Sequence, residues 1–142
     1  MSALKITILG CGSSFGVPLF HNIWGKCDPE EPKNKRSRPS ILVQKNGKNL
    51  LIDTSPDLKQ QILRNKIDNI DAVFFTHEHA DHTHGINELR SINLIHRKII
   101  PCYGNEQTMD KITNSFNNLF ENTEKSYYPA ILSKNHFSSK EV

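Results

Sequence analysis

At 142 residues, with 23% charged residues and a net charge of +3, the chain has the size and mixture of a single globular domain, here taken as residues 1–142. That charge is too small to call for nucleic-acid binding without a concentrated patch. No apolar run approaches the ~20 residues that span a bilayer, so a membrane partner is not expected. The N-terminus lacks the basic-then-apolar layout of a signal peptide. Cys11, Cys27 and Cys102 are odd in number and widely spaced, which reads as reduced thiols and a cytoplasmic location.

Lys5 to Leu9 alternates into an apolar strand, and Gly10-Cys-Gly12-Ser-Ser-Phe-Gly16 ends it. A dinucleotide-binding reading fails because the third glycine comes one residue late and Val17-Pro18 stands where a helix should open. The glycines either let the backbone pass close to a ligand loop or a substrate phosphate, or make a tight turn. Pro18 to Pro39 is a long connection with His21, Trp24, Cys27, four prolines and a basic run of Lys33, Lys35, Arg36 and Arg38. The run has the charge to steer an anionic phosphate substrate, but a solvated face is the plainer reading.

Ser40–Gln44 and Asn49–Asp53 flank Asn46-Gly47, a strong tight-turn signal, and form a hairpin. Ser55 as N-cap and Pro56 at the first helical position predict a helix to about Arg64, with Leu58, Ile62 and Leu63 on one face. Ala72 to Thr76 is a short buried strand. A second helix takes in Ile86, Leu89, Leu94 and Ile95, and His96 near its end reads as a cap. Ile99–Tyr103 is a strand, and Asn105 caps a third helix with Met109, Ile112, Phe116, Leu119 and Phe120 inward. Alternating strands and helices predict layered α/β packing.

The strand at Ala72–Thr76 delivers His77-Glu-His79-Ala-Asp81-His82-Thr-His84-Gly85. Imidazole nitrogen with carboxylate oxygen suits zinc, manganese or iron, and argues against calcium or magnesium. His77 and His79 are two apart, so on an extended segment they leave the same side and can share an ion. Asp81 and His82 are adjacent and need a turn, after which they can face a second ion. His84 lies outside the spacing and reads as a hydrogen-bonding or solvent-facing residue at a helix start.

His77-x-His79-x-Asp81-His82-x-x-Gly85 resembles the metal-binding signature of the metallo-β-lactamase fold superfamily. Leu9-Gly-Cys-Gly-Ser-Ser-Phe-Gly-Val-Pro18, Leu51-Ile-Asp53-Thr-Ser-Pro-Asp-Leu58 and Gly85-Ile-Asn-Glu-Leu-Arg90 look like its phosphoribosyl cyclic phosphate phosphodiesterase branch. The resemblance implies an αβ/βα sandwich with two divalent metals, zinc or manganese, and a bridging hydroxide that attacks phosphorus. His77 and His79 would hold the first ion and Asp81 and His82 the second, with Asp81 counted among the catalytic residues. Asp53 would orient the histidine loop from behind, beside the alternative of a turn-forming aspartate. The branch can carry a cysteine cluster for a structural zinc in the long connection, where only Cys27 is present.

The resemblance also implies a third histidine, a bridging aspartate and a last histidine from the second half of the fold. The chain ends at Val142 before the matching segments, and His136, the one late histidine, is followed by Phe137 where the family usually has glycine. The expectation is therefore a first half of the sandwich, a mixed sheet with flanking helices, with an incomplete site and an uncovered apolar sheet face. Its partners would be a small phosphate ester and a complementing chain or a second copy. The expected activity is phosphodiester hydrolysis. A tRNA 3′-processing endonuclease, suggested by Arg36-Ser-Arg-Pro-Ser-Ile-Leu42, is one alternative, and an inactive remnant that binds metal or a partner without turnover is another.

Overall fold

A computed structural model describes residues 3–122 and 127–137. Asn46 and Gly47 both take positive φ, 51° and 73°, the pair of left-handed residues that a two-residue hairpin turn requires. They join β2 (Ser40–Lys45) to β3 (Lys48–Ile52), as the turn signal predicts. β1 (Lys5–Gly10) pairs antiparallel with β2. β3 then starts a parallel series through β4 (Ala72–Phe74), β5 (Ile100–Gly104) and β6 (Leu132–His136). The six strands lie in one mixed sheet in chain order.

Parallel neighbours need crossovers. α1 (Leu58–Asn65) lies between β3 and β4, the short α2 (Ala80–Thr83) and α3 (Leu89–His96) between β4 and β5, and α4 (Glu106–Ser115) and α5 (Asn117–Phe120) between β5 and β6. Leu42, Leu51, Val73 and Cys102 stand on one face of the sheet and are buried with Leu58, Leu89, Ile92, Met109 and Ile112 from the helices. Burial pushes the Cys102 thiol up, which keeps it inert. The other face is open. Ile6 and Ile8 on the edge strand are 60% and 64% exposed, and Phe74 and Tyr103 are covered mainly by the ring of Phe137 at 5.8 and 5.6 Å.

Three boundaries differ from expectation. α1 begins at Leu58, because Ser55 and Pro56 belong to a turn in which Ser55 Oγ accepts the Asp57 N–H at 3.1 Å. Asp57 is meanwhile drawn to Arg38. The second predicted helix is a 3-10 turn at Ile86–Glu88 followed by α3, with Leu94 and Ile95 77% and 70% exposed. The third breaks at Phe116, where φ is −125°, and resumes as α5. Asn105 does cap α4, its Oδ1 accepting the Thr108 N–H at 2.8 Å.

The glycine-rich loop answers the choice left open by its sequence. A Cβ on Gly10 would lie 2.1 Å from Arg38 O, and Gly12 N–H donates to Ser37 O at 2.8 Å. The close approach is to the 36–38 segment. A turn closes the loop as well, Gly16 N–H to Ser13 O at 2.8 Å.

Candidate metal centre

β4 ends at the sheet's C-terminal edge, and the motif leaves it as a loop. The rings of His77 and His79 meet edge to face with centroids 4.6 Å apart, as their two-residue spacing predicts. The turn required for Asp81 and His82 is α2, with His79 at its N-cap and His82 N–H donating to His79 O at 3.0 Å. It carries the His82 ring back to 4.1 Å from that of His77, and leaves His82 Nε2 3.4 Å from Asp81 Oδ2. Burial pushes the Asp81 carboxyl up, but a hydrogen bond from Ser14 and the neighbouring histidines outweigh it and hold the group below the usual carboxylate range. Glu78 turns aside to an ion pair with Lys111.

Behind this cluster Asp53 is 4% exposed and adopts φ 61°, a left-handed conformation that costs a non-glycine residue about 1 kcal/mol or more. Its carboxylate offsets that cost with three hydrogen bonds, each to a charged group and so worth ~1.5–3 kcal/mol. Oδ1 accepts the Thr76 N–H at 2.8 Å. Oδ2 accepts the Thr76 hydroxyl at 2.7 Å and faces His82 Nδ1 at 2.7 Å. Because the Thr76 hydroxyl spends its one proton on Asp53, its oxygen is an acceptor for His77 Nδ1–H at 2.9 Å. One carboxylate thus sets both rings through their Nδ1 atoms, His82 directly and His77 through Thr76, which leaves Nε2 of each ring as the nitrogen for a metal.

The loop is held in place by the chain just after β3. Thr54 N–H donates to His82 O at 2.7 Å, and Gly85 N–H to Thr54 O at 2.9 Å. A Cβ at position 85 would sit 1.9 Å from Ser55 O. The glycine of the motif is there for this contact.

Among the described residues, no three His, Cys, Asp or Glu side chains converge on a position that could hold one ion. His77, His79, Asp81 and His82 have the donor chemistry and adjacency for divalent transition ions, as donor pairs. His84 closes α2 instead of opening a helix, with its ring edge-on to Phe116 at 5.6 Å and its Nδ1 3.1 Å from Thr83 Oγ1. His136 is the exposed last residue of β6, placed by strand alternation on the same face as Leu132 and Lys134. His96 reaches Asp68 O with Nε2 at 2.6 Å, which ties α3 to the lead-in of β4. Sequence reasoning missed Thr76 and Ser14. The signal for Thr76 was its position, a hydroxyl residue directly before the first histidine.

A half-open mixed sheet with helices on one face and a His-x-His-x-Asp-His loop at the end of its fourth strand defines the metallo-β-lactamase fold class. The beta-lactamase superfamily domain matches residues 48–136, and the chain belongs to that family. It is similar to a solved diphosphatase of the PhnP family, with 34% identity and a TM-score of 0.79 over 96% of this chain and 51% of that one. Zinc-bound PqqB of Methylobacterium extorquens shares the fold at 21% identity and a TM-score of 0.64, covering 96% of this chain and 50% of that one. By sequence, the chain is 39% identical over 127 residues to an octanoyltransferase of Porphyromonas gingivalis, covering 89% of this chain and 25% of that protein. It is 34% identical over 76 residues to ribonuclease Z of Methanopyrus kandleri, covering 51% and 27%. The chain therefore spans about half of the solved structures and about a quarter of these sequence relatives.

Proposed function

We propose that this chain provides the His77, His79, Asp81 and His82 donors of a metal-dependent hydrolase acting on phosphoric esters, with cyclic or diester phosphates as substrates. The observation that carries the reading is the Asp53 carboxylate, which belongs to a residue held in a left-handed conformation and engages two histidines on their Nδ1 side. Such an arrangement is of little use to a merely structural loop. Zinc or manganese ions bound there would supply Lewis acidity and an activated water at neutral pH. His77 and His79 would hold one ion and Asp81 and His82 the other, while Asp53 and Thr76 would keep the imidazoles in the ligating tautomer. The remaining donors of a complete site would come from outside residues 1–142.

The likeness to the PhnP-family diphosphatase covers nearly the whole chain, which favours a phosphate-containing substrate. The ribonuclease Z matches keep tRNA 3′-processing as the second reading. The octanoyltransferase match spans too little of that protein to bring acyl transfer with it. No helix among the described residues is long and apolar enough to cross a membrane, and the free thiols support a cytoplasmic location.

Equilibrium dialysis against zinc and manganese, beside a His79→Ala control and with oligomeric state recorded, tests the site. Two tightly held ions per chain, lost in the control, together with hydrolysis of small diesters, is the expected result. Metal binding without turnover, at a native mass of one chain, overturns it in favour of a remnant. A salt-sensitive mobility shift of precursor tRNA without diester cleavage would favour the endonuclease.

A further inference from the structure

Two clefts open along the glycine-rich loop and the long connection, and both are lined by Phe15, Pro18 and Arg38. The first, of about 490 Å³, is walled by Phe15, Pro18, Leu19, Phe20 and Ile23. Phe15 and Phe20 are 77% and 92% exposed, so two aromatic faces stand in water where nothing in the fold requires them. Ser14 lines the same cleft and is among the groups that hold the Asp81 carboxyl low, so the apolar wall reaches toward the motif through this residue.

The second cleft, of about 640 Å³, is basic. Lys35, Arg36 and Arg38 of the long connection line it together with Arg64 of α1. The basic run is therefore more than a solvated face, because folding adds a cation from 26 residues further on. Arg38 is neutralised by Asp57 at 2.6 Å. Among the described residues, Lys35, Arg36 and Arg64 enter no ion pair. Arg64 is steadied by Leu9 O at 2.6 Å and Arg36 by Cys11 Sγ at 3.9 Å, and each guanidinium keeps donors to spare.

We propose that the paired clefts bind a nucleotide carrying a second phosphate. Its base lies on Phe15 and Phe20, its second phosphate among Lys35, Arg36 and Arg64, and its ester phosphorus at the histidine loop. Planar aromatic surface flanked by unpaired cations suits a base with a phosphate beside it, since stacking and charge act on adjoining parts of one ligand. An acyl chain would use the apolar wall but leave its aromatic faces unmatched. The placement of the ester rests on the phosphoric-ester reading above; the two clefts do not.

Binding is read by titration calorimetry, which needs no reporter group in the cleft. The metal-stripped protein is titrated with thymidine 3′,5′-bisphosphate, thymidine 5′-monophosphate and the base-free ribose 1,5-bisphosphate. The first is expected to bind about tenfold more tightly than either of the others, the increment that one stacked base or one phosphate supplies. Phe20→Ala should abolish the advantage over the base-free ligand while leaving the salt dependence intact. Lys35→Ala with Arg36→Ala should abolish the advantage over the monophosphate and flatten the salt dependence. Phe20, Lys35 and Arg36 are exposed, and circular dichroism of each variant checks the fold. Equal affinity for the three ligands, or a bisphosphate affinity that neither change lowers, overturns the proposal. Selective binding, with no hydrolysis of small phosphodiesters by the metal-loaded protein, would keep the clefts and sink the hydrolase reading instead.

Discussion

Asp53 carries three functions in one side chain: it ends a strand, tolerates φ 61° and fixes two imidazoles. Its link to His77 runs through a single hydroxyl. Thr76→Val keeps the shape of the side chain and removes that hydroxyl, and should lower zinc affinity about tenfold, with Thr76→Ser restoring it. Equilibrium dialysis measures the affinity. Histidine nitrogen shifts in NMR should show His77 losing its fixed tautomer in the valine variant while His82 keeps its own, a change that general destabilisation would not confine to one ring. Gly85 makes a second residue-level prediction. A methyl group there would meet backbone that is pinned on both sides, so Gly85→Ala should cost about 3 kcal/mol in urea unfolding.

At the scale of elements, the long connection is held to the body through α1. Asp57, just before Leu58, takes Arg38 in two hydrogen bonds from the guanidinium, at 2.9 and 2.6 Å, and accepts the Arg38 N–H at 2.8 Å. The side-chain bond to Arg38 outweighs partial burial and holds the Asp57 carboxyl below its ordinary value near 3.8. A carboxyl lowered on folding contributes stability that is fully present above that ordinary value. It is lost as pH falls through the lower value of the folded state. Asp57→Asn should therefore cost about 1 kcal/mol at neutral pH, the pair being partly exposed, and the variant should lose less stability than the parent between pH 4 and pH 2. Urea midpoints across that range measure both effects.

The molecule as a whole has a covered face and an open one. Helices bury Leu42, Leu51, Val73 and Cys102, while on the opposite face Ile6 and Ile8 of the edge strand remain more than half exposed and Phe74 and Tyr103, further across the sheet, are partly exposed. An apolar sheet face with an unpaired edge favours association. Sedimentation should show a concentration-dependent oligomer of the chain. Ile6→Lys with Ile8→Lys should shift it toward the monomer without lowering the unfolding midpoint, since neither side chain is buried. A parent that stays monomeric at high concentration would refute this.

The local elements were legible in the residues because short-range chemistry decides them. Asn46-Gly47 demanded a hairpin, Asn105 a helix start, and a buried apolar run ending in His-x-His-x-Asp-His a ligand loop at a strand end. The family was legible for the same reason, since its signature is contiguous. What the sequence could not show was contact between residues far apart in the chain. The resemblance implied that Asp53 orients the histidine loop, but nothing local indicates that it reaches His77 through Thr76, that Gly85 is small for the sake of Ser55, or that Arg64 joins Lys35 and Arg36 around one cleft. β6 also escaped notice, its Leu132–His136 run being too polar to announce a strand until β5 offered it an edge. Local preference thus determined the parts by itself. Tertiary structure alone decided which distant groups share a carboxylate or a cleft, because such contacts depend on how the sheet brings its edges together.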